Sequence, residues 1–495
     1  MSNADHPSDD LDARCRLLGG ATMWRTHDLP ALGAPELKMS DGPNGVRGEL
    51  GVTDVVRGVA VPVGIALGAT WDPALVERVG RLLAVEAHRK GAHVLLGPTV
   101  NLIRMPTGGR AFECYSEDPE LTARLGVAWI RGVQSGGIAT TVKHFVGNDT
   151  EIDRVSVDVH ADPAVLRELY LRPFEAAVTE AEAWGIMSAY NRLDGTFCSE
   201  HRWLLTTLLR DEWGFDGVVV SDWGAAHDTV GAAVGGLTIA MPGPRTVFGA
   251  ALAEAVRDGR VESALVDARV AEVARLAERT RAFDLGADRA QECVDDPAER
   301  ALCREAAVGG IVLARNTGTL PLAPTGTIAV IRPNARTTRI MGGGSSALRP
   351  VPAASVLDAL TERFGERVLG HADGAVFDKL LPVLTGAVLR APDGTEGLRV
   401  EIRNGGDLGD SADAEAVAAD TAPESSLLMF GQAVPGQADE FTVELSGAIV
   451  PDADGTYEVG ALVAGAGRIT VGATAFVDDP DGAFTAQDTY FPDGY

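Results

Sequence analysis

The sequence predicts an α/β protein that begins with a (β/α) barrel of the TIM type. A second α/β unit and an antiparallel β-sandwich follow. Between residues 35 and 245, short apolar runs alternate with longer amphipathic stretches, which is typical of parallel strands joined by crossover helices. A second strand and helix pattern lies between residues 299 and 371. From about residue 383, glycine, aspartate and proline break up short alternating runs, and this favours antiparallel strands.

The elements of the first unit follow from the length and period of its apolar segments. Short apolar runs predict strands at Leu37–Met39, Val59–Leu67, His93–Leu96, Ile138–Val142, Gly185–Ala189, Gly217–Val220 and Leu237–Met241. Longer amphipathic segments predict helices at Pro73–Glu86, Pro119–Gln134, Pro163–Glu182 and Trp203–Trp213. A helical region rich in alanine, arginine and glutamate ends the unit at residues 261–281.

The second unit begins with a predicted helix at Glu299–Ala306 and contains a glycine-rich loop at Gly342–Ser346. Strands are predicted at Thr327–Ile331 and Arg367–His371, with a helix at Ser355–Phe364. The loop lacks both the GxxxxGK[ST] and the GxGxxG patterns, so we do not expect it to bind a nucleotide. The alternating runs that follow predict strands at Leu398–Ile402, Phe441–Leu445, Thr456–Val463 and Arg468–Val471.

Composition excludes several classes of protein. A length of 495 residues indicates two or three domains, and no stretch is apolar and long enough to span a bilayer. The net charge of −27 argues against nucleic-acid binding, because phosphate contacts need a cationic face. Five scattered cysteines without CxxC spacing indicate reduced thiols. The N-terminus lacks the pattern of a signal peptide, so we expect a cytoplasmic protein. The sequence also suggests no metal or organic cofactor.

Polar side chains gather where the predicted strands of the first unit end. These pairs are Ser40-Asp41, Lys143-His144, Tyr190-Asn191 and Ser221-Asp222. The carboxyl ends of parallel strands form the ligand-binding face of such folds, so we expect these groups to converge on one crevice. A barrel without a site would end its strands in turn-forming residues instead.

Five ordered segments of the first unit resemble the signatures of glycoside hydrolase family 3. They are KMSDGPNGVRG (38–48), GPTVNLIRMPTGGRAFECYSEDP (97–119), KHFVGNDTEIDR (143–154), IMSAYNRLDG (186–195) and GVVVSDWGA (217–225). The segments GIVLARNTGTLPL (310–322) and IAVIRPNA (328–335) resemble the opening of the family's α/β sandwich domain. The β-rich tail resembles the protective-antigen-type sugar-binding sandwich that some members insert in that domain.

The resemblance implies a TIM-like catalytic barrel at residues 1–285 and the first part of the α/β sandwich domain at 298–382. An incomplete inserted β-sandwich follows at 383–495. In relatives with this insertion, the acid/base glutamate follows it, and no segment after residue 320 matches its surroundings. We therefore expect a C-terminally truncated chain without the acid/base, completed by another chain or forming a homo-oligomer. Glu440 and Glu444 lie in an alternating β pattern and are interpreted as facing solvent.

Hydrolysis of a glycosidic bond through an oxocarbenium-like transition state requires two carboxyl groups. By resemblance, Asp222 is the nucleophile that forms a covalent glycosyl-enzyme; the alternative is an aspartate that caps the following helix. Trp223 beside it offers an aromatic wall for a sugar face. Asp41 resembles the residue that accepts hydrogen bonds from sugar hydroxyls in the −1 subsite, although an Asx-turn before Gly42 also favours aspartate. Arg47 is interpreted as a supporting residue.

Other residues match −1 subsite positions of the family: Arg110, Lys143, His144, Met187 and Tyr190. Fixed cations beside Asp222 would keep its carboxylate ionised, as an attacking nucleophile must be. By the same resemblance, Tyr190 donates a hydrogen bond to the nucleophile or to the sugar ring. Met187 fits equally well as an ordinary core residue.

The acidic residues Glu113, Glu117 and Asp118 could alternatively supply the pair of carboxyl groups for acid/base chemistry. We interpret this cluster as structural. By resemblance, this stretch mainly builds the loop behind Arg110. Residues 116–119 also predict a helix start, with acidic residues at the positive end of the helix dipole. The chain also departs from the family strand GLDLEMPGP, because Thr238 and Ala240 replace two acids in GLTIAMPGP (236–244). This change concerns packing at the barrel rim or the level of activity.

The leading hypothesis is a retaining hydrolase that removes terminal non-reducing β-D-glucosyl or related β-glycosyl residues. Its partner is then a small-molecule or oligosaccharide β-glycoside, with no nucleic acid and no membrane. The alternative is a truncated, catalytically impaired sugar-binding protein. A generic barrel enzyme such as an aldolase would need a phosphate or metal constellation that the sequence does not show. The Lys143-His144 pair and GPNGVRG favour glucosides over xylosides and N-acetylhexosaminides.

Overall fold

The structure of the protein is a computed structural model that describes most of the chain. The described residues are 10–49, 56–286, 288–375, 383–386, 388–405, 415–427, 434, 436–451, 453–457, 460, 463, 465–472 and 474–479. The closing segment QDTYFPDGY and Lys379 lie outside them. None of the helices in the described ranges is long and apolar enough to cross a membrane.

Helices alternate with strands throughout the first unit and occur in the second unit as well. The α-helices are Leu11–Leu17, Gly64–Gly68, Pro73–Arg89, Pro119–Ser135, Pro163–Val165, Arg172–Thr179, Thr229–Gly235, Ala250–Arg257, Ser263–Arg279, Ala282–Leu285, Pro297–Gly309 and Val356–Phe364. Two segments have π-helical hydrogen bonding, Leu166–Tyr170 and Trp203–Glu212. Short 3-10 turns lie at Pro30–Leu32, Ala111–Glu113, Cys198–Glu200, Pro333–Ala335 and Gly365–Arg367.

Parallel strands form the centre of the first unit. One sheet contains Met39–Asp41, Val94–Leu96 and Ala139–Thr140, and the next contains Val142–Phe145, Gly185–Ser188 and Val218–Ser221. Single parallel bridges continue the series from Val220 to Ile239 and from Ala240 to Gly19. All residues of these six strands are buried, as is typical of parallel strands in α/β folds.

Two long helices beside the parallel strands pack closely against each other. Asp72 and Asp118 cap the N-termini of Pro73–Arg89 and Pro119–Ser135, and each helix begins with the favoured proline. A Cβ atom on Gly80 would lie 2.5 Å from the carbonyl oxygen of Trp129 in the facing helix. The small residue therefore allows the two backbones to approach.

The second unit and the tail have simpler pairings. Strands Ile328–Ile331 and Val368–Ala372 are parallel, and the helix Val356–Phe364 between them begins with a capping box at Ser355. In the tail, Leu398–Asn404 pairs antiparallel with both Ala418–Ala422 and Phe441–Ser446. Further antiparallel pairs are Leu389–Arg390 with Ala448–Ile449 and Gly467–Val471 with Thr474–Asp479. The small sheet at Asp158–Val159, Arg192–Leu193 and Thr196–Phe197 belongs to the first unit.

Four predicted elements differ from the structure. The run Leu237–Met241 is not a continuous strand, because only single bridges form there, at Ile239 and Ala240. The run Val59–Leu67 is not a strand, because its first residues form a buried loop and its last ones enter the helix Gly64–Gly68. The predicted helix Pro163–Glu182 is divided into three helical segments; Pro173 has no backbone N–H to donate at that point. Within Thr456–Val463, the residues that the structure describes are not in a strand.

Candidate active site

The carboxyl ends of the parallel strands bring the predicted polar residues together. Asp41 is the last residue of one strand, Lys143 and His144 lie inside another, and Asp222 directly follows Ser221 at the end of a third. All four are buried, with relative exposures between 2 and 8 %. A charged cluster this deeply buried is costly unless its members pair, so its contacts define the site.

Asp222 lies at the centre of the cluster with one carboxylate oxygen uncommitted. Its Oδ1 accepts a hydrogen bond of 2.8 Å from the backbone N–H of Trp223, whereas its buried Oδ2 has no hydrogen-bond partner among the described residues. His144 Nε2 lies 3.6 Å from this Oδ2. Burial raises the pKa of Asp222, and the opposing positive charges of Arg110 and Lys143 do not fully offset it. The expected cations are present, but desolvation outweighs them.

Asp41 is paired directly with Lys143. Lys143 Nζ donates to Asp41 Oδ1 at 2.7 Å, and the same oxygen accepts the N–H of Gly42 at 2.8 Å. Burial would raise the pKa of Asp41, but Lys143 and Arg47 lower it to about 2. Asp41 is therefore an ionised acceptor, and the Asx-type contact to Gly42 exists together with the ion pair.

Arg110 is held from behind by Glu113. Arg110 Nε and Nη2 donate to the two carboxylate oxygens of Glu113, each at 3.0 Å, and Thr99 Oγ1 donates to Glu113 at 3.0 Å. Burial acts to raise the pKa of Glu113, but Arg110 and Lys143 together hold it below its usual value. Glu113 is thus an ionised support for Arg110, in agreement with its structural interpretation.

The other two acids of that cluster lie on the surface. Asp118 caps the helix Pro119–Ser135 by accepting the N–H of Leu121 at 2.8 Å, and Glu117 is exposed. Neither contributes to the buried charge cluster.

Aromatic side chains form one side of the site. The rings of Trp223 and Trp24 are 5.1 Å apart, and Trp223 Nε1 donates to the carbonyl of Met23 at 2.8 Å. Tyr190 donates from its hydroxyl to the carbonyl of Trp223 at 3.1 Å. Burial, followed by the negative charge of Asp222, raises the pKa of Tyr190 well above its usual value. Trp223 is therefore fixed by neighbours on both sides.

Met187 packs in the apolar core, and Thr238 hydrogen-bonds to a neighbouring carboxylate. Met187 is 2 % exposed within the apolar core. Thr238 Oγ1 donates to Glu272 at 2.6 Å, and Arg210 pairs with the same carboxylate. Ala240 is buried beside the bridge to Gly19.

The sequence analysis did not single out several residues that contact the site. Asn101 hydrogen-bonds His144. Arg154 lies over the ring of Tyr190, 5.4 Å from its centre. Arg47, which the sequence analysis did name as a supporting residue, lies 4.3 Å from the ring centre of Trp24, and its Nε and Nη2 are buried without a partner in the described part of the chain. Asn101 and Arg154 sit inside quoted motifs, but no residue pattern ranks them above their neighbours.

The glycine-rich segment Gly342–Ser346 lies against these loops rather than in a nucleotide site. The carbonyl of Ser345 accepts a hydrogen bond of 2.6 Å from Arg47 Nη1. A Cβ atom on Gly342 would lie 2.4 Å from the ring of Phe112. Nearby, backbone hydrogen bonds join Gly58 to residues 349 and 351. The second unit is thus anchored beside the site of the first.

A cleft adjoins the charge cluster. Its lining includes Arg110, His144, Arg104, Asn148, Asp149 and Glu151. Among the described residues, no three His, Cys, Asp or Glu side chains come together in an arrangement that could hold a metal ion.

Comparison with known proteins gives two matching family descriptions. Residues 45–276 match the glycosyl hydrolase family 3 N-terminal domain, and residues 311–454 match the C-terminal domain of that family. A β-glucosidase of Rhizobium radiobacter is 41% identical over 486 residues, which is 97% of this chain and 58% of that protein. The chain therefore spans somewhat more than half the length of this curated relative.

Solved structures show the same likeness. A selenomethionine-labelled β-glucosidase from Kluyveromyces marxianus superposes with a TM-score of 0.83 at 33% identity, covering 91% of this chain and 55% of that one. The same organism's β-glucosidase in complex with glucose gives a TM-score of 0.78 at 34% identity, covering 85% and 52% of the two chains.

Proposed function

This chain belongs to glycosyl hydrolase family 3, and from that premise we propose that it acts on terminal non-reducing β-D-glucosyl or related β-glycosyl residues. The proposed mechanism is double displacement, with Asp222 as the nucleophile that forms a covalent glycosyl-enzyme. The β-glucosidase relatives support the reaction class, and the glucose bound in one structural neighbour supports the sugar.

The single observation that supports this role best is the uncommitted Oδ2 of Asp222. An aspartate that only capped the following helix would stand at the N-cap position of that helix. Here the N-cap of the following helix Thr229–Gly235 is Asp228 instead. Asp222 therefore does not cap that helix, and its buried Oδ2 is not committed to a backbone N–H and can attack a sugar carbon.

The surrounding groups have complementary roles in this proposal. Asp41, fixed by Lys143, accepts hydrogen bonds from sugar hydroxyls, since a carboxylate accepts two donors at once. Arg110 offers N–H donors, and Trp223 supplies an apolar wall for one face of the ring. Tyr190 holds the backbone of Trp223 in place and so fixes the wall beside the nucleophile.

The finer architecture is also proposed. The pairings around the first unit are consistent with a TIM-like barrel at residues 1–285, and the parallel pair after it with part of an α/β sandwich at 298–382. The antiparallel pairs support a β-sandwich at 383–495. Free, scattered cysteines agree with a cytoplasmic location.

A sugar-binding protein without turnover is the second candidate, and one observation favours it. Of the carboxyls in the buried cluster, Asp41 and Glu113 both have lowered pKa values and are ionised. Neither can give a proton to a leaving oxygen at neutral pH. If no other group supplies that proton, a glycoside with a poor leaving group binds to the site but is not cleaved.

Azide rescue of Asp222→Gly separates the two candidates. With a dinitrophenyl β-glucoside, which needs no protonation of its leaving group, the native chain should release dinitrophenolate. Asp222→Gly should lose this activity and recover it with azide, giving the α-glucosyl azide, because azide then attacks from the side of the missing carboxylate. Asp194→Gly is the matched control, since Asp194 is exposed and has a φ of 49° that glycine accepts readily.

Two results would contradict the proposal. A folded native chain that binds the glucoside without releasing dinitrophenolate would favour the binding protein. A β-glucosyl azide from Asp222→Gly would assign the nucleophile to another residue.

A further inference from the structure

The side chain of Asn101 forms two hydrogen bonds with the backbone of His144. The backbone N–H of His144 donates to Asn101 Oδ1 at 2.8 Å, and Asn101 Nδ2 donates to the carbonyl of His144 at 3.0 Å. Of the two ends of an asparagine amide, only the oxygen accepts from an N–H and only the NH2 group donates to a carbonyl. These two opposed contacts therefore fix which end of the Asn101 amide is the oxygen.

The same oxygen determines where the imidazole of His144 carries its proton. Asn101 Oδ1 lies 3.0 Å from His144 Nδ1 and has no hydrogen to give, so Nδ1 is the donor. On the other side of the ring, Arg110 Nη1 lies 3.0 Å from Nε2. A guanidinium cannot accept a hydrogen bond, so Nε2 presents its lone pair. Contacts at both ring nitrogens thus select the same tautomer.

We propose that Asn101 is a positioning residue that holds His144 as the neutral Nδ1–H tautomer, so that Nε2 is a fixed acceptor for Arg110 and not a proton carrier. The tautomer itself is a property of the free protein. Its consequence for catalysis rests on the function proposed above.

The charged groups that face His144 agree with a neutral ring. Arg110, Lys143 and Arg154 all act against a second proton, and Asp222 is the acid on the other side. Burial, together with these cations, places the pKa of His144 well below its usual value. A protonated ring would instead face Asp222 Oδ2 at 3.6 Å and compete for the oxygen that attacks the sugar.

The proposal also explains how Arg110 is aimed. Glu113 engages two of its N–H groups and His144 a third. A guanidinium has five N–H donors, so two remain for substrate hydroxyls. With Glu113 on one side and a neutral acceptor on the other, the plane of the guanidinium is fixed before the sugar arrives, which reduces the cost of orienting it.

Nitrogen NMR of the whole chain tests the assignment directly. The protein is labelled with ¹⁵N-histidine, and the signal of His144 is identified among the nine histidines by its absence in His144→Gln. We expect a protonated Nδ1 and an unprotonated Nε2 at neutral pH, with no second proton on the ring as the pH is lowered to that at which exposed histidines titrate. An Nε2–H tautomer, or an imidazolium at neutral pH, would overturn the proposal.

Three variants test whether Asn101 is the cause. Asn101→Leu removes the oxygen at Nδ1 and leaves Arg110 at Nε2 as the remaining constraint on the ring, so a fraction of the Nε2–H tautomer should become detectable. Asn101→Asp keeps an oxygen opposite Nδ1, so it should retain the Nδ1 proton while the ring titrates at higher pH. Asn148→Leu makes the same substitution at another buried asparagine of the cleft and should leave the tautomer unchanged. If Asn101→Leu does not fold, Asn101→Asp decides: loss of the Nδ1 proton in that variant would refute the role of Asn101.

A kinetic readout distinguishes this proposal from the proposed function. In a chain that releases dinitrophenolate, Asn101→Leu should slow release about tenfold, in line with the loss of about 1.4 kcal/mol from a hydrogen-bonded polar network. An unchanged rate in Asn101→Leu would overturn the catalytic part. If the native chain releases none, the proposed function fails, while the NMR result still stands or falls by itself.

Discussion

Replacement of Lys143 by methionine tests the buried charge cluster quantitatively. Lys143→Met keeps an unbranched apolar stem and removes the ammonium group that contacts Asp41 Oδ1 at 2.7 Å. Lys143 is 2 % exposed and Asp41 is 4 % exposed, so water cannot replace the lost partner without entering the core. The variant leaves a buried carboxylate without its main counter-charge.

The size of the effect follows from the pKa of Asp41. Its pKa is about 2, compared with a usual value of 3.8. Each pKa unit corresponds to about 1.36 kcal/mol, so ionised Asp41 stabilises the folded chain by about 2 kcal/mol at neutral pH. Because the folded pKa is lowered, this stabilisation is present above pH about 4 and is lost as the pH falls towards 2. Removal of Lys143 converts it into a penalty, and we expect a total loss of about 3–5 kcal/mol at pH 7.

Urea unfolding followed by tryptophan fluorescence measures this loss, since Trp24 and Trp223 lie beside the cluster. The cost of Lys143→Met should shrink as the pH is lowered, because a proton can then neutralise the unpaired carboxylate of Asp41. Adding Asp41→Asn to Lys143→Met should recover most of the lost stability at pH 7. A loss below about 1 kcal/mol, or no recovery in the double variant, would refute the reasoning.

Three further predictions concern the surroundings of the site. Gly68→Ala should destabilise the fold strongly in urea unfolding, because the new Cβ would lie 1.9 Å from the carbonyl oxygen of Tyr115; full stability would contradict that packing. Asp149→Asn should stabilise the chain at pH 7 by about 3 kcal/mol. Burial raises the pKa of Asp149 to about 6, so its charge costs stability as the pH rises from 4 to 6, and the gain should vanish at pH 4. Leu348→Asp should loosen the contact with Gly45 and increase proteolysis near residue 348, whereas equal protection in both proteins would argue against this anchor.

The sequence predicted the strand ends of the site well because parallel strands impose a single rule. Asp41, Lys143 and Asp222 follow apolar runs, and the topology brings such positions to one edge. The alternating tail was also predicted as antiparallel, and the pairing of Leu398–Asn404 with two neighbours confirms this.

Other features depend on contacts between residues distant in sequence. The run Val59–Leu67 has the composition of a strand, but close packing of Gly64 against the backbone of Glu113 accompanies a helix there. Asn101 is one polar residue among many until the fold sets it against the backbone of His144. The link between Arg47 and the carbonyl of Ser345 spans 298 positions and leaves no local pattern.

The sign of the pKa shift at Asp222 was also beyond the sequence. The residue pattern showed cations near Asp222 but not the depth of burial, and burial is the larger effect. Conversely, the acids Glu113 and Asp118 are only five positions apart in the sequence and similar in type. The fold alone separates a buried support of Arg110 from a surface helix cap.

Trapping of the glycosyl-enzyme tests the proposed mechanism most directly. The purified chain is incubated with a 2-deoxy-2-fluoro-β-glucoside that carries a dinitrophenolate leaving group, and intact mass and a tryptic map are recorded. The fluorine slows breakdown of the intermediate, so one fluoroglucosyl group should accumulate on the tryptic peptide 211–245, with fragmentation placing it on Asp222. A folded chain that stays unlabelled, or one labelled at Asp41 or Glu113, would contradict the assignment of Asp222 as the nucleophile.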